Sequence, residues 1–352
     1  MLNPRDLDFR SDNVAGVAPE VLTALAVAAQ GSDSAYGADA TTTRLEARLA
    51  ELFAHDVTVF PVATGTAANA LALAQAVPGW GAVLCHREAH IATDECGAPE
   101  FYSTGAKLIP LEGEHGKLSA ETVARELARE LRGVHHVQPR AVSISQSTET
   151  GAVYRPEEIA AIGAACRPKG LTVHMDGARL ANAVAALGCA PAEVTWKAGV
   201  DILSFGLTKN GAMAAEAVIF FNSDQAQDFA FRRKRGGHLF SKMRFVSAQI
   251  EAQLTDGLWL KLASHANAMA RRIAGGLQDI PDIGLLHPVD ANELFVLLPE
   301  AAIAQLESDG YRFYRWDSDK GPCIRLVTAF DTTTSAVDGF VHALSKASTA
   351  PA

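Results

Sequence analysis

The chain has 352 residues, of which 48% are hydrophobic and 20% are charged, and its formal net charge is −9. At about 100–200 residues per domain this length predicts one large domain or two smaller ones, and the acidic balance excludes a general nucleic-acid binder, which carries a basic surface. No stretch approaches the ~18 consecutive apolar residues of a membrane-spanning helix. The five cysteines form no CxxC pair, so we expect reduced thiols in a cytoplasmic protein, without a disulfide framework or a metal site.

Strand and helix patterns alternate over the first two thirds of the chain. Leucines at helical spacing predict a helix at 41–54, and an Ala/Leu-rich helix ends near Val77. Further helical patterns lie at 119–131, 156–167 and 178–187. Short apolar runs predict strands at 57–60, 82–85, 107–110, 140–145, 171–175, 201–205 and 217–221. This alternation is typical of βαβ units around a mostly buried sheet, which is an α/β fold.

The last third of the chain changes character. A long helix is predicted at 258–278, and helices at 300–308 and 334–346 accompany strand patterns at 293–298, 311–316 and 323–330. This mixture predicts a smaller α+β domain. We therefore expect a large domain over 15–255 and a small domain over 256–352 that also includes residues 1–14.

Asp176 and Lys209 are the most informative residues. Asp176 ends one strand pattern, in TVHMDGARL, and Lys209 follows the next, in DILSFGLTKNGAM. Both are expected at the carboxyl ends of strands, where open α/β sheets bind ligands. A lysine can form a Schiff base with the aldehyde of pyridoxal phosphate (PLP), and a carboxylate can keep the cofactor's pyridine nitrogen protonated. The alternative for each residue alone is an aspartate that caps a turn and a solvated lysine.

The strings HMDGARL (174–180) and SFGLTKNGAM (204–213) resemble signatures of the threonine aldolase family. The resemblance covers nearly the whole chain, through DFRSDN (8–13), YGADATTTRLE (36–46), TGTAAN (64–69), REAHIATDECGAP (87–99) and IRLVTAFDT (324–332). It implies a fold type I PLP enzyme, with a mostly parallel seven-stranded sheet in a large domain and a smaller C-terminal α+β domain. The implied reaction is retro-aldol cleavage of L-threonine, L-allo-threonine and related β-hydroxy-α-amino acids to glycine and an aldehyde.

The resemblance also implies roles for individual residues. His90 is expected to stack on the pyridine ring and is a candidate proton acceptor. Gly65 and Thr66 are expected to bind the cofactor phosphate at a helix N-terminus, where N–H groups favour anions; the local alternative is that they cap the helix. The implied catalytic residues are Lys209, His90 and Glu149, the cofactor-binding residues are Gly65, Thr66, His90, Asp176, Arg179, Lys209 and Arg244, and the substrate-binding residues are Ser11, Arg179, Arg325 and Tyr36.

Two arginines are candidates for binding the substrate carboxylate. A strand arginine among Ile, Leu and Val needs a partner if it faces inward, and a guanidinium can bind a carboxylate with two parallel hydrogen bonds. The resemblance assigns this role to Arg179 and Arg325, together with Ser11. The alternatives are a structural ion pair for Arg179 and an outward-facing side chain for Arg325. Glu95 is expected either in a polar network or as a plain surface carboxylate.

One position departs from the family pattern. Many low-specificity members carry a histidine in ENTHNG, whereas the matching segment here is SQSTETG (145–151), with Glu149 at the histidine position and Gln146 and Ser147 nearby. This resembles a bacterial subgroup of low-specificity threonine and phenylserine aldolases. A carboxylate could accept the hydroxyl proton, directly or through water, if its pKa suits. The alternative is that Glu149 orients the loop or contacts a neighbouring chain.

The segment FRRKRGGHLFSKMRF (231–245) is basic in an acidic protein. Taken alone, it indicates a nucleic-acid or solvated patch, but glycines and apolar residues interrupt it. The resemblance places it at a subunit boundary near the cofactor phosphate, with Arg244 and Lys234 as candidate ligands and Tyr36 reaching a neighbouring site. We therefore expect a homo-oligomer, a dimer or a tetramer built as a dimer of dimers, without nucleic-acid or membrane partners. The rival hypotheses are a phenylserine-preferring aldolase, a transaldolase, a racemase, a β-eliminating lyase and a non-catalytic binding protein on the same scaffold.

Overall fold

The structure is a computed structural model that describes residues 4–278 and 280–349. The first helices are α1 (Pro19–Ala28), α2 (Ala40–Phe53), α3 (Gly65–Ala76), α4 (His90–Thr93) and α5 (Ala98–Tyr102). They are followed by α6 (Ala120–Leu127), α7 (Pro156–Cys166), α8 (Leu180–Leu187), α9 (Phe229–Arg235) and α10 (Arg244–Leu254). The C-terminal helices are α11 (Leu258–Leu277), α12 (Glu300–Ser308) and α13 (Thr334–Thr349).

A mostly parallel sheet forms the centre of the fold. Its strands are β1 (Thr58–Val62), β2 (Gly81–His86), β3 (Lys107–Leu111), β4 (Gln138–Ser145), β5 (Thr172–Gly177), β6 (Ile202–Gly206) and β7 (Glu216–Phe220). Their order across the sheet is β1-β7-β6-β5-β4-β2-β3. Strand β7 is antiparallel to both of its neighbours, and the other adjacent pairs are parallel. The expected mostly parallel seven-stranded sheet is confirmed.

Both faces of this sheet are covered. Leu203 of β6 and Ile219 of β7 belong to the largest hydrophobic cluster, whereas their neighbours Ile202 and Val218 belong to another cluster, which includes Leu71 of α3. Successive side chains of a strand point to opposite faces, so apolar groups lie on both sides. This double coverage explains why the strands read as unbroken apolar runs in the sequence.

A second, antiparallel sheet lies in the C-terminal part. Its strands are β8 (Gly284–Leu285), β9 (Glu293–Leu297), β10 (Tyr314–Trp316) and β11 (Cys323–Val327), in the order β10-β11-β9-β8. The N-terminal segment is bound to this region. The Phe9 backbone N–H donates to Arg312 O at 2.8 Å, and the Val327 N–H donates to Phe9 O at 2.8 Å. The Phe9 side chain is buried in the hydrophobic cluster of the same region.

Helix α11 contributes to two hydrophobic clusters. Trp259 and Ala263 belong to the large cluster around the central sheet. Ala270, Ile273 and Leu277 belong to the cluster of the C-terminal region. The domain boundary predicted between 255 and 256 falls just before this shared helix, and the assignment of domains stays a prediction.

Three predicted elements, at 119–131, 311–316 and 323–330, are longer than the observed ones, and five helices fall where no element is predicted. The strand predicted at 311–316 is found at Tyr314–Trp316 alone, because the Tyr311 N–H donates to Leu306 O after α12. Helices α1, α4, α5, α9 and α10 and the short strand β8 fall in segments without a predicted element. Ser247, Gln249 and Gln253 of α10 are buried, so this helix lacks the apolar spacing that would reveal it.

Within the described ranges, no helix is both long enough and apolar enough to cross a bilayer. The same residues contain no group of three or more His, Cys, Asp or Glu side chains that could hold a metal ion. All five cysteines are described and unpaired, and the exposed one is Cys96.

Candidate active site

A cavity of about 910 Å³ opens at the carboxyl ends of the central strands. Ser145 of β4, Asp176 of β5 and Lys209, which follows β6, line it, as is typical of ligand sites in open α/β sheets. The residues with predicted roles that line this cavity are Ser11, Gly65, Thr66, His90, Glu149, Asp176, Arg179, Lys209 and Arg325. Tyr36 and Arg244 lie outside its lining.

Asp176 has a fixed orientation. Asn69 Nδ2 donates to its Oδ2 at 2.7 Å, and the Ala178 backbone N–H donates to its Oδ1 at 3.0 Å. The residue is 8% exposed. The carboxylate therefore enters the cavity as a rigid hydrogen-bond acceptor at the end of β5.

Lys209 lies in a 3₁₀ turn, Thr208–Asn210, directly after β6. Thr208 Oγ1 accepts from the Ala215 N–H at 3.2 Å, and Asn210 Nδ2 donates to Trp259 O at 2.9 Å. The two neighbours of Lys209 are thus fixed to the segment before β7 and to α11. The turn presents the lysine to the cavity.

The N-terminus of α3 forms another part of the lining. Thr64 Oγ1 accepts from the Ala67 N–H at 3.2 Å and caps the helix. Gly65 and Thr66 follow in the first turn and line the cavity. An α-helix leaves its first N–H groups without partners inside the helix, so this turn can donate to an anion. The alternative to phosphate binding is that Gly65 and Thr66 cap the helix. The capping residue is Thr64, which leaves Gly65 and Thr66 able to bind an anion.

A hydrogen-bond network links His90 to Asp176. His90 Nδ1 lies 2.8 Å from Glu95 Oε1, and Asn69 Nδ2 donates to the same oxygen at 2.8 Å. Because Asn69 also donates to Asp176, one amide connects both carboxyl groups. The hydrogen bond to Glu95 raises the pKa of His90, and burial raises the pKa of Glu95. Glu95 is thus part of a polar network, the first of its two predicted environments.

One oxygen of the Glu149 carboxyl accepts two hydrogen bonds from the chain. Ser145 Oγ donates to its Oε1 at 2.6 Å, and the His90 backbone N–H donates to the same atom at 2.8 Å. Oε2 is buried and accepts no hydrogen bond within the described part of the chain. Burial raises the pKa of Glu149 to about 7. The second oxygen therefore has unused capacity to accept a hydrogen bond.

The residues beside Glu149 have different surroundings. Gln146 is fully buried, and its amide binds the backbone of Tyr154 at both ends, at 2.9 and 3.0 Å. Ser147 lines the cavity, and its Oγ is buried without a partner among the described residues. Gln146 is therefore structural, whereas the Ser147 hydroxyl has unused hydrogen-bond capacity.

Arg179 is bound by carboxylates of the chain itself. Its Nε and Nη2 donate to Asp12 at 2.7 and 2.9 Å, and Nη2 lies 3.1 Å from Glu293 Oε1. Burial opposes its charge, but Asp12 and Glu293 outweigh burial and raise the pKa of Arg179. Asp12 also accepts from Asn292 Nδ2 at 3.1 Å. Arg179 thus takes part in a structural ion pair and lines the cavity as well.

Arg325 shares one of these carboxylates. Its Nη2 donates to Glu293 Oε1, and the side chain is 15% exposed. Its Nε is buried without a hydrogen-bond partner in the part of the chain that the structure describes. Arg325 therefore faces inward, and it retains donor capacity toward the cavity.

The candidates for contact with a neighbouring chain lie elsewhere. Arg244 Nε donates to Ala28 O at 2.9 Å. Tyr36 is 54% exposed, and Lys234 Nζ lies 4.8 Å from the centre of its ring. Their roles toward a second chain stay predictions.

Comparison with known proteins relates this cavity to a family. A family model described as beta-eliminating lyase matches residues 8–301. A low-specificity L-threonine aldolase from Pseudomonas aeruginosa is 46% identical over 329 residues, which cover 94% of each chain. This chain belongs to the threonine aldolase family. A threonine aldolase structure from Leishmania major covers 96% of this chain and 98% of its own, at 30% identity and with a TM-score of 0.91.

The family predicted from the motifs is therefore confirmed, and the fold class is confirmed with it. A variant serine palmitoyltransferase from S. paucimobilis, solved with a PLP–myriocin aldimine bound, shares the fold with a TM-score of 0.70 at 14% identity. The match covers 97% of this chain and 86% of that chain. The threonine aldolase fold seen here is thus a fold type I architecture.

Several polar residues of this threonine aldolase site are not predicted from the sequence. Asn69 stands four residues after Gly65, so the two share a helix face, and this spacing could have revealed it. Asp12, Glu293 and Glu216 are buried carboxyl groups. A charged residue that opens an apolar strand, as in the runs ELFVL and EAVIF, is a signal, because buried carboxylates need partners.

Proposed function

We propose that the protein is a PLP-dependent lyase that cleaves L-threonine, L-allo-threonine and related β-hydroxy-α-amino acids to glycine and an aldehyde. The observation that carries this proposal is that one cavity presents Lys209, Asp176 and Glu149 together in a member of the threonine aldolase family. They supply an amine for cofactor attachment, an acceptor for the pyridine nitrogen and a buried base.

The residues in the cavity fit PLP. A Cβ built on Gly65 would meet no atom within 4 Å, so there is open space beside the first N–H groups of α3. A phosphate is favoured at such a helix end by free N–H groups and the helix dipole. Asp176 would hold the pyridine nitrogen, Lys209 would carry the cofactor, and His90 would contact its ring. When bound, PLP supplies an electron sink for the pair released from the substrate's Cα–Cβ bond.

The two arginines would bind the substrate carboxylate. Arg325 Nε is buried without a partner within the described ranges, and such an unsatisfied donor is costly until a ligand accepts from it. Arg179 and Ser11 line the same cavity and complete the proposed site. Asp12 and Glu293 hold the guanidinium groups in place before substrate binds.

Glu149 would accept the proton of the β-hydroxyl group. Oε1 already accepts two hydrogen bonds, so Oε2 is the free atom. With a pKa of about 7, the carboxyl suits a general base at neutral pH. His90 is the weaker candidate, because its hydrogen bond to Glu95 raises its pKa and favours the protonated ring. Removal of the hydroxyl proton lets the β-carbon leave as an aldehyde.

Aromatic side chains favour β-aryl serines as additional substrates. Tyr314 and Trp316 of β10 line the cavity, and the Trp316 ring packs against Phe295 with centroids 5.1 Å apart. An aromatic contact contributes about 0.5–1.5 kcal/mol beyond its buried area. Phenylserine therefore belongs in the substrate panel.

Product analysis of the holoenzyme tests the proposed reaction. L-Threonine, L-allo-threonine and phenylserine are supplied separately, and glycine, aldehyde, ammonia and keto acid are quantified. We expect equal amounts of glycine and aldehyde, and no product from Lys209→Ala. Ammonia with a keto acid would assign a β-eliminating activity instead. Absence of turnover in a protein with bound PLP would favour a non-catalytic binding protein.

We also propose that the protein is a cytoplasmic homo-oligomer, either a dimer or a dimer of dimers. Phe231 of α9 is 71% exposed, close in sequence to the basic residues at 232–235, and exposed apolar side chains are typical of subunit contacts. Five unpaired cysteines suit a reducing compartment.

Light scattering measures the mass of the oligomer in solution, and a monomer would contradict the proposal. Mixing Lys209→Ala with Arg244→Ala should restore activity if Arg244 serves a neighbouring site.

A further inference from the structure

A buried amide in the cavity wall has no part in the reaction described above. Asn69 lies on α3, one turn after Gly65, and is 2% exposed. The residue lines the cavity. Burial of an amide costs free energy unless its polar atoms are hydrogen-bonded, so the partners of Asn69 indicate its role.

The amide nitrogen of Asn69 connects two buried carboxyl groups. Its Nδ2 donates to Asp176 Oδ2 at 2.7 Å and to Glu95 Oε1 at 2.8 Å. A side-chain amide has two N–H donors, so both are used. The amide oxygen is buried and accepts no hydrogen bond from the described residues. Asn69 therefore directs its whole donor capacity to the two carboxyl groups and leaves its acceptor unused.

The two carboxyl groups fix the orientation of this amide. If the amide were turned over, its oxygen would lie against Asp176 Oδ2, and both atoms are acceptors when the aspartate is ionised. Glu95 is itself held, because its Oε1 also lies 2.8 Å from His90 Nδ1 and the residue is 4% exposed. The Asn69 amide is therefore anchored on one side by Glu95 and bonded on the other to Asp176.

Asn69 gives Asp176 a support that the neighbouring residues of the chain do not supply. The Ala178 N–H, two residues further on, donates to Asp176 Oδ1 at 3.0 Å, and this contact holds one oxygen. The donor to Oδ2 comes from a residue 107 positions away, on another element. Within the described ranges it is the one side-chain hydrogen bond to this carboxylate. With both oxygens held, the plane of the carboxylate is fixed at the end of β5.

We propose that Asn69 is a positioning residue for Asp176, which it holds in the orientation that binds the pyridine nitrogen of the cofactor. The inference deepens the proposed function and rests on it for the identity of the cofactor and for the role of Asp176. Without the Asn69 amide, the carboxylate keeps the Ala178 contact and can rotate away from the nitrogen. The contacts proposed for Gly65 and Lys209 do not involve this amide and should survive.

Binding of deaza-PLP, in which a C–H group replaces the pyridine nitrogen, tests this role without any turnover. Equilibrium dialysis of the PLP-free full-length protein measures the dissociation constants of PLP and of deaza-PLP. Their ratio reports the contact at the nitrogen, because the two molecules share every other group. In Asp176→Ala the preference for PLP should fall about tenfold, as expected for the loss of a charge-assisted hydrogen bond. In Asn69→Leu it should fall at least about threefold, through weaker binding of PLP and unchanged binding of deaza-PLP.

The matched control replaces another buried helix asparagine in the same way. Asn182 of α8 is 5% exposed, donates to Asn267 Oδ1 at 3.0 Å and lies outside the cavity lining. Asn182→Leu should keep the wild-type preference for PLP, with circular dichroism to verify that each variant folds. An unchanged preference in folded Asn69→Leu would overturn the proposal. Equal losses of affinity for PLP and deaza-PLP, or the same loss of preference in Asn182→Leu, would also overturn it.

A second variant and a measurement on the wild type cover a failure to fold. If Asn69→Leu does not fold, Asn69→Ala is judged by the same criteria. If neither folds, the NMR signals of the wild-type Asn69 amide decide: a shift on binding of PLP but not of deaza-PLP supports the proposal, and equal shifts overturn it.

The same measurements distinguish this inference from the proposed function. A wild-type preference that persists in Asp176→Ala would reject the proposed role of Asp176 and, with it, the positioning role of Asn69. A negative product assay alongside a lost preference in Asn69→Leu would reject the proposed reaction and leave the positioning role intact.

Discussion

Replacement of Glu149 by glutamine should stabilise the protein at alkaline pH while it removes activity. The Oε2 atom is buried without a hydrogen-bond partner among the described residues, and burial raises the pKa of the carboxyl to about 7. At pH 8 the folded protein therefore carries a negative charge in a place that disfavours it. Glutamine has the same shape and keeps an oxygen that can accept from Ser145 and the His90 N–H, but it carries no charge.

The expected change in stability can be calculated from the raised pKa of Glu149. Burial raises the pKa of Glu149 from the usual 4.5 to about 7. At about 1.36 kcal/mol per pKa unit, this difference corresponds to a loss of about 3 kcal/mol in the free energy of unfolding when the carboxyl is charged. The pKa of Glu149 is higher in the folded protein than in the unfolded chain. The destabilisation by the charged carboxyl is therefore absent below pH 4.5, grows as the pH rises, and is complete above pH 7. The gain in unfolding free energy of Glu149→Gln over the wild type should be about 2–3 kcal/mol larger at pH 8 than at pH 5.

Urea unfolding of the cofactor-free proteins at pH 5 and pH 8 measures this difference. Any effect of the amide that does not depend on pH cancels between the two conditions. Glu112→Gln is the control, because that side chain is 76% exposed and paired with Arg87 at the surface, and it should change stability by less than about 0.5 kcal/mol. An equal gain at both pH values would refute the burial argument. Full turnover in Glu149→Gln would reject the carboxyl as the base.

Three further predictions address the cofactor lysine, the substrate carboxylate and the histidine. Borohydride reduction of the holoenzyme followed by peptide mapping should mark Lys209, and a label on another lysine would contradict the assignment. Arg325→Ala should raise KM through loss of a charge-assisted bond of about 1.5–3 kcal/mol and leave PLP affinity unchanged; the reverse pattern would exclude the role. Glu95→Gln should lower the pKa of His90, because their hydrogen bond raises it, and an NMR titration that shows no change would disprove the coupling.

The central sheet could be predicted because burial on two faces leaves a strong local signal. Strands β2, β6 and β7 are buried at every position, and they stand out as short apolar runs between helices. The same reasoning fails where polar residues are buried, as in α10, or where a chain segment pairs with a distant one. Arg312 shows the second case, since its backbone bonds to the N-terminal segment rather than continuing β10.

The cavity residues could be predicted where a motif places them at the end of a strand or the start of a helix. Asp176, Lys209 and Gly65 are of this kind, and all three line the cavity. The position of Glu293 at the start of an apolar strand indicates a buried carboxyl, but its pairing with Arg325, and that of Asp12 with Arg179, could not be predicted by local patterns. Each meets its arginine through tertiary packing, and nothing in the spacing of the sequence indicates that contact.

The contact between Asp12 and Asn292 joins residues 280 positions apart in the chain. During synthesis, this contact can therefore form only after most of the chain has been made. At about 5–20 residues per second, the ribosome needs about 14–56 s to add that length of chain. The strands that carry Asp176 and the turn with Lys209 emerge within this interval, whereas Glu293 and Arg325 come after it. A nascent chain therefore contains the cofactor side of the cavity well before it contains Arg325, which is proposed to bind the amino acid's carboxylate, and Glu293, which pairs with that arginine.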